Sequence, residues 1–98
     1  MNVKMHSIKF DADSKLLDVV QKKMNKLDRF FDRIVDGEVF MRLNNEGIKN
    51  KTVDIKLNIP GDQLFATASA ASFEAASDEA AQALTKQLKR FKEKAMSH

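Results

Sequence analysis

Basic side chains that could bind phosphate groups are concentrated in two separate segments of this chain. Residues 15–35 hold six Lys and Arg against three acids, and residues 86–98 hold five against one. Between them, residues 36–85 hold four bases against eight acids, so the formal net charge is only +3. Two basic segments divided by an acidic one are the charge distribution expected of a protein that binds a polyanion.

The second basic segment belongs to a region that reads as one long helix over residues 72–98. Ser72 is a suitable N-cap, and acidic residues near the start with basic ones near the end complement the helix dipole. Spacing at 100° per residue gives one apolar stripe. The stripe consists of Phe73, Ala76, Ala80, Leu84, Leu88, Phe91 and Ala95. On the far side and its flanks lie Lys86, Lys89, Arg90, Lys92 and Lys94.

These cations form like-charge pairs three and four residues apart, and each such pair costs roughly 0.2–0.5 kcal/mol. Lys86, Lys89 and Arg90 also lie too early to serve only the helix dipole, which acts within about the last turn. Charge runs on helices often serve solubility alone. The distribution nevertheless favours a binding face, since a helix selected only for stability would mix the two signs.

A first helix is predicted from the cap Asp13 to about residue 33. Its apolar stripe consists of Leu16, Val20, Met24, Leu27, Phe31 and Ile34. The charges are sorted onto the two flanks of that stripe. The basic flank holds Lys15, Lys22, Lys26, Arg29 and Arg33, and the acidic flank holds Asp18, Asp28 and Asp32. Lys23 lies at the edge of the stripe, where its stem can pack while its ammonium reaches solvent.

Four strands are predicted, over residues 2–10, 38–43, 51–59 and 64–70, with a bulge or an early end possible in the first. Asp36-Gly37 is a turn signal, residues 44–50 form a polar loop, and a hairpin turn over residues 60–63 joins the last two strands. The small inward positions of the last strand would let a helix lie close to the sheet. The resulting order, βαβββα, predicts a single α+β domain over residues 1–98, with a four-stranded mixed sheet and two helices packed on one face.

The inventory of reactive residues argues against an enzyme. The chain has no cysteine and only two histidines, His6 and His98, so neither a disulfide framework nor a zinc site is expected. Gly37, Gly47 and Gly61 stand singly, whereas a phosphate-cradling loop needs clustered glycines. We therefore expect no metal, no cofactor and no small-molecule substrate. The sequence has no apolar run of membrane-spanning length and no signal peptide, which predicts a cytoplasmic protein without membrane contact.

The solvent-facing side of the sheet is a second candidate for an RNA-binding surface. Phe40 and Phe65 lie there beside Arg42 and Lys56, and aromatic side chains on an open sheet can stack single-stranded bases. However, acidic residues share that face and no glycine-aromatic signature is present. Single exposed Phe residues are common, so the sheet face is interpreted as ordinary surface.

Both helices resemble those of one known family. The run Lys23-Met24-Asn25-Lys26-Leu27, with Leu16 and Val20 before it and Phe31-Asp32-Arg33-Ile34 after it, resembles the first helix of the ribosome hibernation-promoting factors. That group also contains ribosome-associated inhibitor A and was once called sigma-factor modulation proteins. In the second helix, Phe73, Ala76, Asp78, Leu84 and the Gln87-Leu88 pair with its basic ending are similar to the family pattern. Ser77 and Ala83 depart from that pattern, where Ile and Lys are usual.

The resemblance implies binding to the small ribosomal subunit near the decoding centre, in the channel of mRNA and the anticodon ends of tRNA. Such binding would block translation and protect idle ribosomes in stationary phase. It also implies a short form, without a C-terminal dimerisation domain and monomeric when free. The implied ribosomal RNA contacts are Lys23, Lys26, Arg33, Lys86, Lys89, Arg90, Lys92 and Lys94, and the helical wheel alone adds Lys22 and Arg29.

Two other functions fit the basic surface. A generic double-stranded-RNA-binding module has a similar αβββα core, to which this chain would add an N-terminal strand, and it would bind any long duplex. A basic protein-interaction domain would instead meet an acidic partner, and its binding would survive RNase treatment.

Overall fold

A computed structural model describes residues 1–44 and 47–96 of the chain, and the order of its elements is βαβββα, as predicted. The elements are β1 (Asn2–Ile8), α1 (Ser14–Phe30), β2 (Asp36–Leu43), β3 (Lys51–Ile59), β4 (Asp62–Ala70) and α2 (Phe73–Met96). Part of the predicted loop 44–50 and the predicted helix end at His98 lie outside the described residues, as does the side chain of Ala95. Within the described residues, neither helix is long and apolar enough to cross a membrane.

The four strands form one mixed sheet in the order β1-β2-β3-β4. β1 and β2 are parallel and are connected through α1, while β2, β3 and β4 pair antiparallel. The register places Val39 opposite Ile55, and Ile55 opposite Ala66. Because side chains alternate along a strand, these residues share one face of the sheet, and both helices pack on that face.

One hydrophobic core lies between the sheet and the two helices. Its centre is formed by residues with no solvent exposure, and the predicted apolar stripes supply the helical part. The core residues of the helices are Val20, Met24 and Leu27 on α1 and Ala76, Ala80, Leu84 and Leu88 on α2. Ala66 and Ala70 of β4 are buried beneath α2, which confirms that small residues bring this helix close to the sheet.

Both predicted helix caps are present. The Asp13 carboxylate accepts a hydrogen bond from the backbone N–H of Leu16 at 2.9 Å. The Ser72 hydroxyl accepts one from the backbone N–H of Ala75 at 3.1 Å. Each cap satisfies a donor that the first helical turn leaves unpaired, so both helix starts follow from the sequence.

The end of α1 differs from the prediction, because the helix stops at Phe30 rather than near residue 33. Phe31 is extended, with φ −140°, and its N–H still bonds to the carbonyl of Leu27 at 2.9 Å. Phe31 and Ile34 are buried as the stripe predicted, but from an extended connection that leads into β2. The apolar stripe therefore predicted which residues are buried but not where the helix ends. Arg33, a predicted contact residue, lies in the extended connection and not on α1.

The turn predicted at Asp36-Gly37 is also wrong, since these residues belong to strand β2. Gly37 pairs with Val3 on one side and Leu57 on the other. A Cβ atom at residue 37 would lie 2.7 Å from Cε of the fully buried Met24, so the end of the Met24 side chain would have to shift to admit it. At the other end of the sheet, β1 ends early at Ile8, and Lys9 follows with a φ of 69°.

The hairpin between β3 and β4 turns through Pro60 and Gly61, and β4 already begins at Asp62. Gly61 has a φ of 78°, a region that glycine adopts without steric cost. Ser77, which departs from the family pattern, is completely buried on α2. Its hydroxyl donates to the carbonyl of Glu74 at 2.9 Å, so the buried polar group is satisfied within the helix.

Candidate nucleic-acid interface

The two helices run side by side in the same direction. Lys23 of α1 contacts Asp78 near the start of α2, and farther along, the ring of Phe31 immediately after α1 meets the ring of Phe91 on α2. The second contact is edge-to-face, with ring centres 5.6 Å apart. Because both contacts advance towards the C-terminus on each helix, the end of α1 lies beside the last turns of α2. The two basic segments are therefore brought to the same region of the molecule.

Nine of the ten predicted contact residues are exposed to solvent. They are Lys22, Lys26, Arg29, Arg33, Lys86, Lys89, Arg90, Lys92 and Lys94. Within residues 1–44 and 47–96, ion pairs engage none of the seven cations Lys22, Lys26, Arg29, Arg33, Lys86, Lys89 and Arg90. Their charge is consequently available to an anionic ligand.

Lys23 is placed differently from the other predicted contacts. Its side chain is only 20% exposed, and its ammonium lies 3.2 Å from the carboxylate of Asp78. The stem packs at the edge of the core as expected for a snorkelling lysine, but the charge joins α1 to α2. In the free protein this residue positions the two helices, and its charge is already partly neutralised.

Lys92 makes the second direct link between the helices. Its ammonium lies 4.8 Å from the centre of the Phe30 ring and 3.4 Å from the carbonyl oxygen of Phe30. The carbonyl at the end of α1 carries part of the negative end of the helix dipole, so a cation is favourable there. Lys92 therefore lies at the junction where Arg29 and Arg33 also line the surface.

A shallow groove lies on the other side of Phe91, between α2 and the start of β4. Leu64, Gln87 and Arg90 contribute to its lining, together with Asp62 and Lys94. The Gln87 amide donates to the carbonyl oxygen of Phe65 at 2.9 Å, which ties α2 to this edge of the sheet. Arg90 therefore lies on the side of α2 that faces this edge of the sheet.

The open face of the sheet is occupied by its own polar contacts. The Arg42 guanidinium lies 2.9 Å from the Asp54 carboxylate, and the Thr67 hydroxyl donates to Asp54 at 2.6 Å. The ring of Phe40 stacks on that of His6, with centres 4.8 Å apart. Phe65 is 52% exposed, and among the described residues it is the one Phe on that face that is so open. These internal pairings favour the helices over the sheet face as the binding surface.

Among the described residues, no three His or acidic side chains lie close enough together to hold a metal ion. The clusters of charge on the helices consist of lysine and arginine, which bind anions rather than cations. The chemistry that this surface supports is therefore charge-assisted hydrogen bonding to phosphate or carboxylate groups.

Two site features were missed from the sequence. Asp78 fits the family pattern and lies near the start of α2, but its sequence position does not reveal that it holds Lys23 across the helix pair. Phe30, which no pattern singled out, lies half-buried beneath Lys92 and lines a surface cleft. The doublet Phe30-Phe31 at the end of the stripe was an available signal, since successive helical residues point about 100° apart and one of the two rings falls at the edge of the core rather than at its centre.

Comparison with known proteins gives a consistent result over almost the whole chain. Residues 3–96 match the model of the family described as Sigma 54 modulation protein / S30EA ribosomal protein. The ribosome hibernation promoting factor of Azotobacter vinelandii is 34% identical over 94 residues, which are 96% of this chain and 85% of that protein. The ribosome hibernation promotion factor of Deinococcus radiodurans is 36% identical over 81 residues, 79% of this chain. The chain matches only 41% of the length of that relative.

Solved structures agree with the fold. The N-terminal domain of Thermus thermophilus Protein Y superposes with a TM-score of 0.81 at 28% sequence identity, over 93% of this chain and 99% of that one. A ribosomal subunit interface protein from Coxiella burnetii gives a TM-score of 0.85 at 24% identity, over 94% of this chain and 98% of that one. At that identity the second comparison establishes the shared fold alone.

Proposed function

This chain belongs to the Sigma 54 modulation protein / S30EA ribosomal protein family, and from that premise we propose that it is a ribosome hibernation factor. It binds the small ribosomal subunit near the decoding centre and occupies the channel of mRNA and tRNA. By filling that channel it blocks translation sterically in stationary phase. It acts in the cytoplasm as a monomer, through a single ribosome-binding domain, without cofactor or catalysis.

One observation carries the proposal: two parallel helices present six exposed cations that have no ion-pair partner among residues 1–44 and 47–96. Lys22, Lys26 and Arg29 follow one another along α1, and Lys86, Lys89 and Arg90 do so along α2. A cation already committed to a carboxylate within the protein would lose that pair on binding RNA. The uncommitted side chains make their phosphate contacts without that loss.

Phosphate contacts of this kind supply affinity and register rather than base readout. Ribosomal RNA folds into a fixed three-dimensional surface, so the spacing of its phosphates distinguishes it from a plain duplex. A rigid pair of helices, fixed by the Lys23–Asp78 ion pair and the Phe31–Phe91 contact, can match such a surface at several points together. The open face of the sheet then lies away from the RNA and fills space in the channel.

The binding experiment is co-sedimentation of the purified protein with small subunits, with large subunits and with a plain RNA duplex, at about physiological salt. Pelleting with small subunits alone is the expected result. Equal binding to small subunits, large subunits and the plain duplex would instead indicate a generic double-stranded-RNA-binding module. Binding to the ribosomal proteins that remain after complete RNase digestion of the small subunits would instead indicate an acidic protein partner.

A further inference from the structure

A cleft of about 320 Å³ lies where the end of α1 meets the last turns of α2. It combines aromatic and basic side chains in a way that the phosphate contacts alone do not require. The residues that line it are Arg29, Phe30, Phe31, Asp32, Arg33, Phe91 and Lys92. Three phenylalanines and three cations thus surround one surface depression.

The aromatic wall of the cleft has a fixed part and an accessible part. Phe31 is 5% exposed and is held edge-to-face against Phe91, which anchors both rings to the core. Phe30 is only half-buried, and the Lys92 ammonium rests above its ring. Phe30 also packs against the core, so one part of its ring is fixed there while the Lys92 side chain covers another part.

The cleft carries more positive than negative charge among the side chains that line it. Arg29, Arg33 and Lys92 contribute three positive charges and Asp32 contributes one negative charge, a difference of +2. Lys92 is held by the Phe30 carbonyl across 3.4 Å, which is long for a hydrogen bond. Its ammonium can move from the ring to a nearby anion with little loss of bonding.

A ligand suited to this site needs both a flat ring and a negative charge next to it. We propose that the cleft binds one unpaired nucleotide of RNA, with its base stacked on Phe30 and its phosphate held by Arg29, Arg33 and Lys92. The inference rests on the proposed function and deepens it, because it adds a base-stacking site to a surface otherwise described by phosphate contacts. Base–aromatic stacking tolerates any base, so the site selects an unpaired nucleotide over a paired one.

In the absence of a nucleotide, Lys92 occupies the position on the Phe30 ring that the base would take. In the free protein its ammonium covers the Phe30 ring at 4.8 Å. When a nucleotide enters, the phosphate attracts the ammonium, and the ring face that it leaves is taken by the base. Asp32 faces the same cleft and can accept a hydrogen bond from an exocyclic amine of the base.

The test compares two single-stranded RNA hexamers of equal charge, one with a single central adenosine among five abasic riboses and one that is abasic at all six positions. Phe30→Leu keeps an apolar side chain in the wall but removes the ring. Phe65→Leu on the open face of the sheet is the matched control, because it removes an exposed ring outside the cleft. Affinities are measured at low salt for the wild type and both variants, and thermal unfolding confirms that each variant is folded.

The wild type and Phe65→Leu should bind the adenosine hexamer between about fivefold and about a hundredfold more tightly than the abasic one, the range that stacking of one base supplies. Phe30→Leu should bind both hexamers equally, at the abasic affinity. Equal affinities in the wild type would overturn the stacking site, while small-subunit binding in co-sedimentation would leave the proposed function standing. If the wild type prefers the adenosine hexamer but does not bind small subunits, the result would support the stacking site in the cleft and refute the proposed function.

Discussion

The ammonium of Lys23 lies 3.2 Å from the carboxylate of Asp78, and this ion pair joins the two helices that carry the basic surface. Two neighbouring lysines on α1, Lys22 and Lys23, thus have different roles. Lys23 fixes the geometry of the surface, whereas its neighbour Lys22 is exposed and free to meet a ligand. The distinction leads to the first prediction.

Replacing Lys23 should act mainly on stability, and replacing Lys22 mainly on binding. A double-mutant cycle with Lys23→Met and Asp78→Asn should give a coupling free energy of about 0.2–1 kcal/mol in urea unfolding, as for partly exposed ion pairs. The matched cycle with Lys22→Met and Glu79→Gln should give a value near zero. Small-subunit affinity should fall more for Lys22→Met than for Lys23→Met, and the opposite ranking would contradict these roles.

Charge reversal at one exposed position on each helix should abolish ribosome association. Lys26→Glu combined with Lys86→Glu removes two charged contacts, each worth about 1.5–3 kcal/mol, so the affinity for small subunits should fall at least about a hundredfold. Both side chains are exposed, so unfolding should change little. The control, Lys4→Glu with Lys49→Glu, makes the same change in net charge away from the helices. Retained association of a folded double variant would refute the assigned surface.

Salt dependence measures how many phosphates are contacted. Six or more contacts to RNA should give a log–log slope of about −4 or steeper, at about −0.7 per contact. The variant Lys86→Gln should lower the magnitude of that slope by about 0.7, since one contact is lost. Titrations over a range of salt concentrations give both values, and a flat response would contradict an electrostatic interface.

Two glycines should respond in opposite ways to the same substitutions, because they are needed for different reasons. At Gly37, a Cβ would meet the flexible ends of Met24 and Met1, so Ala should cost about 1 kcal/mol and the larger side chain of Asn should cost more. At Gly61, where φ is 78° and space is open, Ala should cost about 1–2 kcal/mol and Asn less. Urea unfolding of the four variants checks the order, and a smaller loss for Asn than for Ala at residue 37 would restore the turn interpretation.

Much of this architecture was predictable because local patterns and the fold agree. The stripe from Val20 to Leu27, the strict alternation of β3 and the caps Asp13 and Ser72 each point to the observed element. The predictions of local structure failed where a residue is buried as expected but adopts a different backbone conformation. Phe31 kept the helical spacing in an extended connection, and Gly37 looked like a turn residue although it sits under Met24 in a strand.

The basic surface was predictable in composition but not in arrangement. Helical spacing placed the cations on exposed flanks, yet it could not reveal which of them the protein engages itself. Lys23 meets Asp78 across 55 positions of sequence, and Lys92 meets Phe30 across 62. Such contacts depend on the direction and offset of the two packed helices, which neither helix encodes alone.

Occupation of the decoding channel is tested most directly by competition on small ribosomal subunits. The protein is titrated onto subunits that are empty or already filled with mRNA and the anticodon stem-loop of tRNA. Steric occupation predicts that the filled subunits bind the protein far more weakly, and that excess protein releases the stem-loop. Equal affinity for empty and filled subunits, with both ligands bound together, would contradict it.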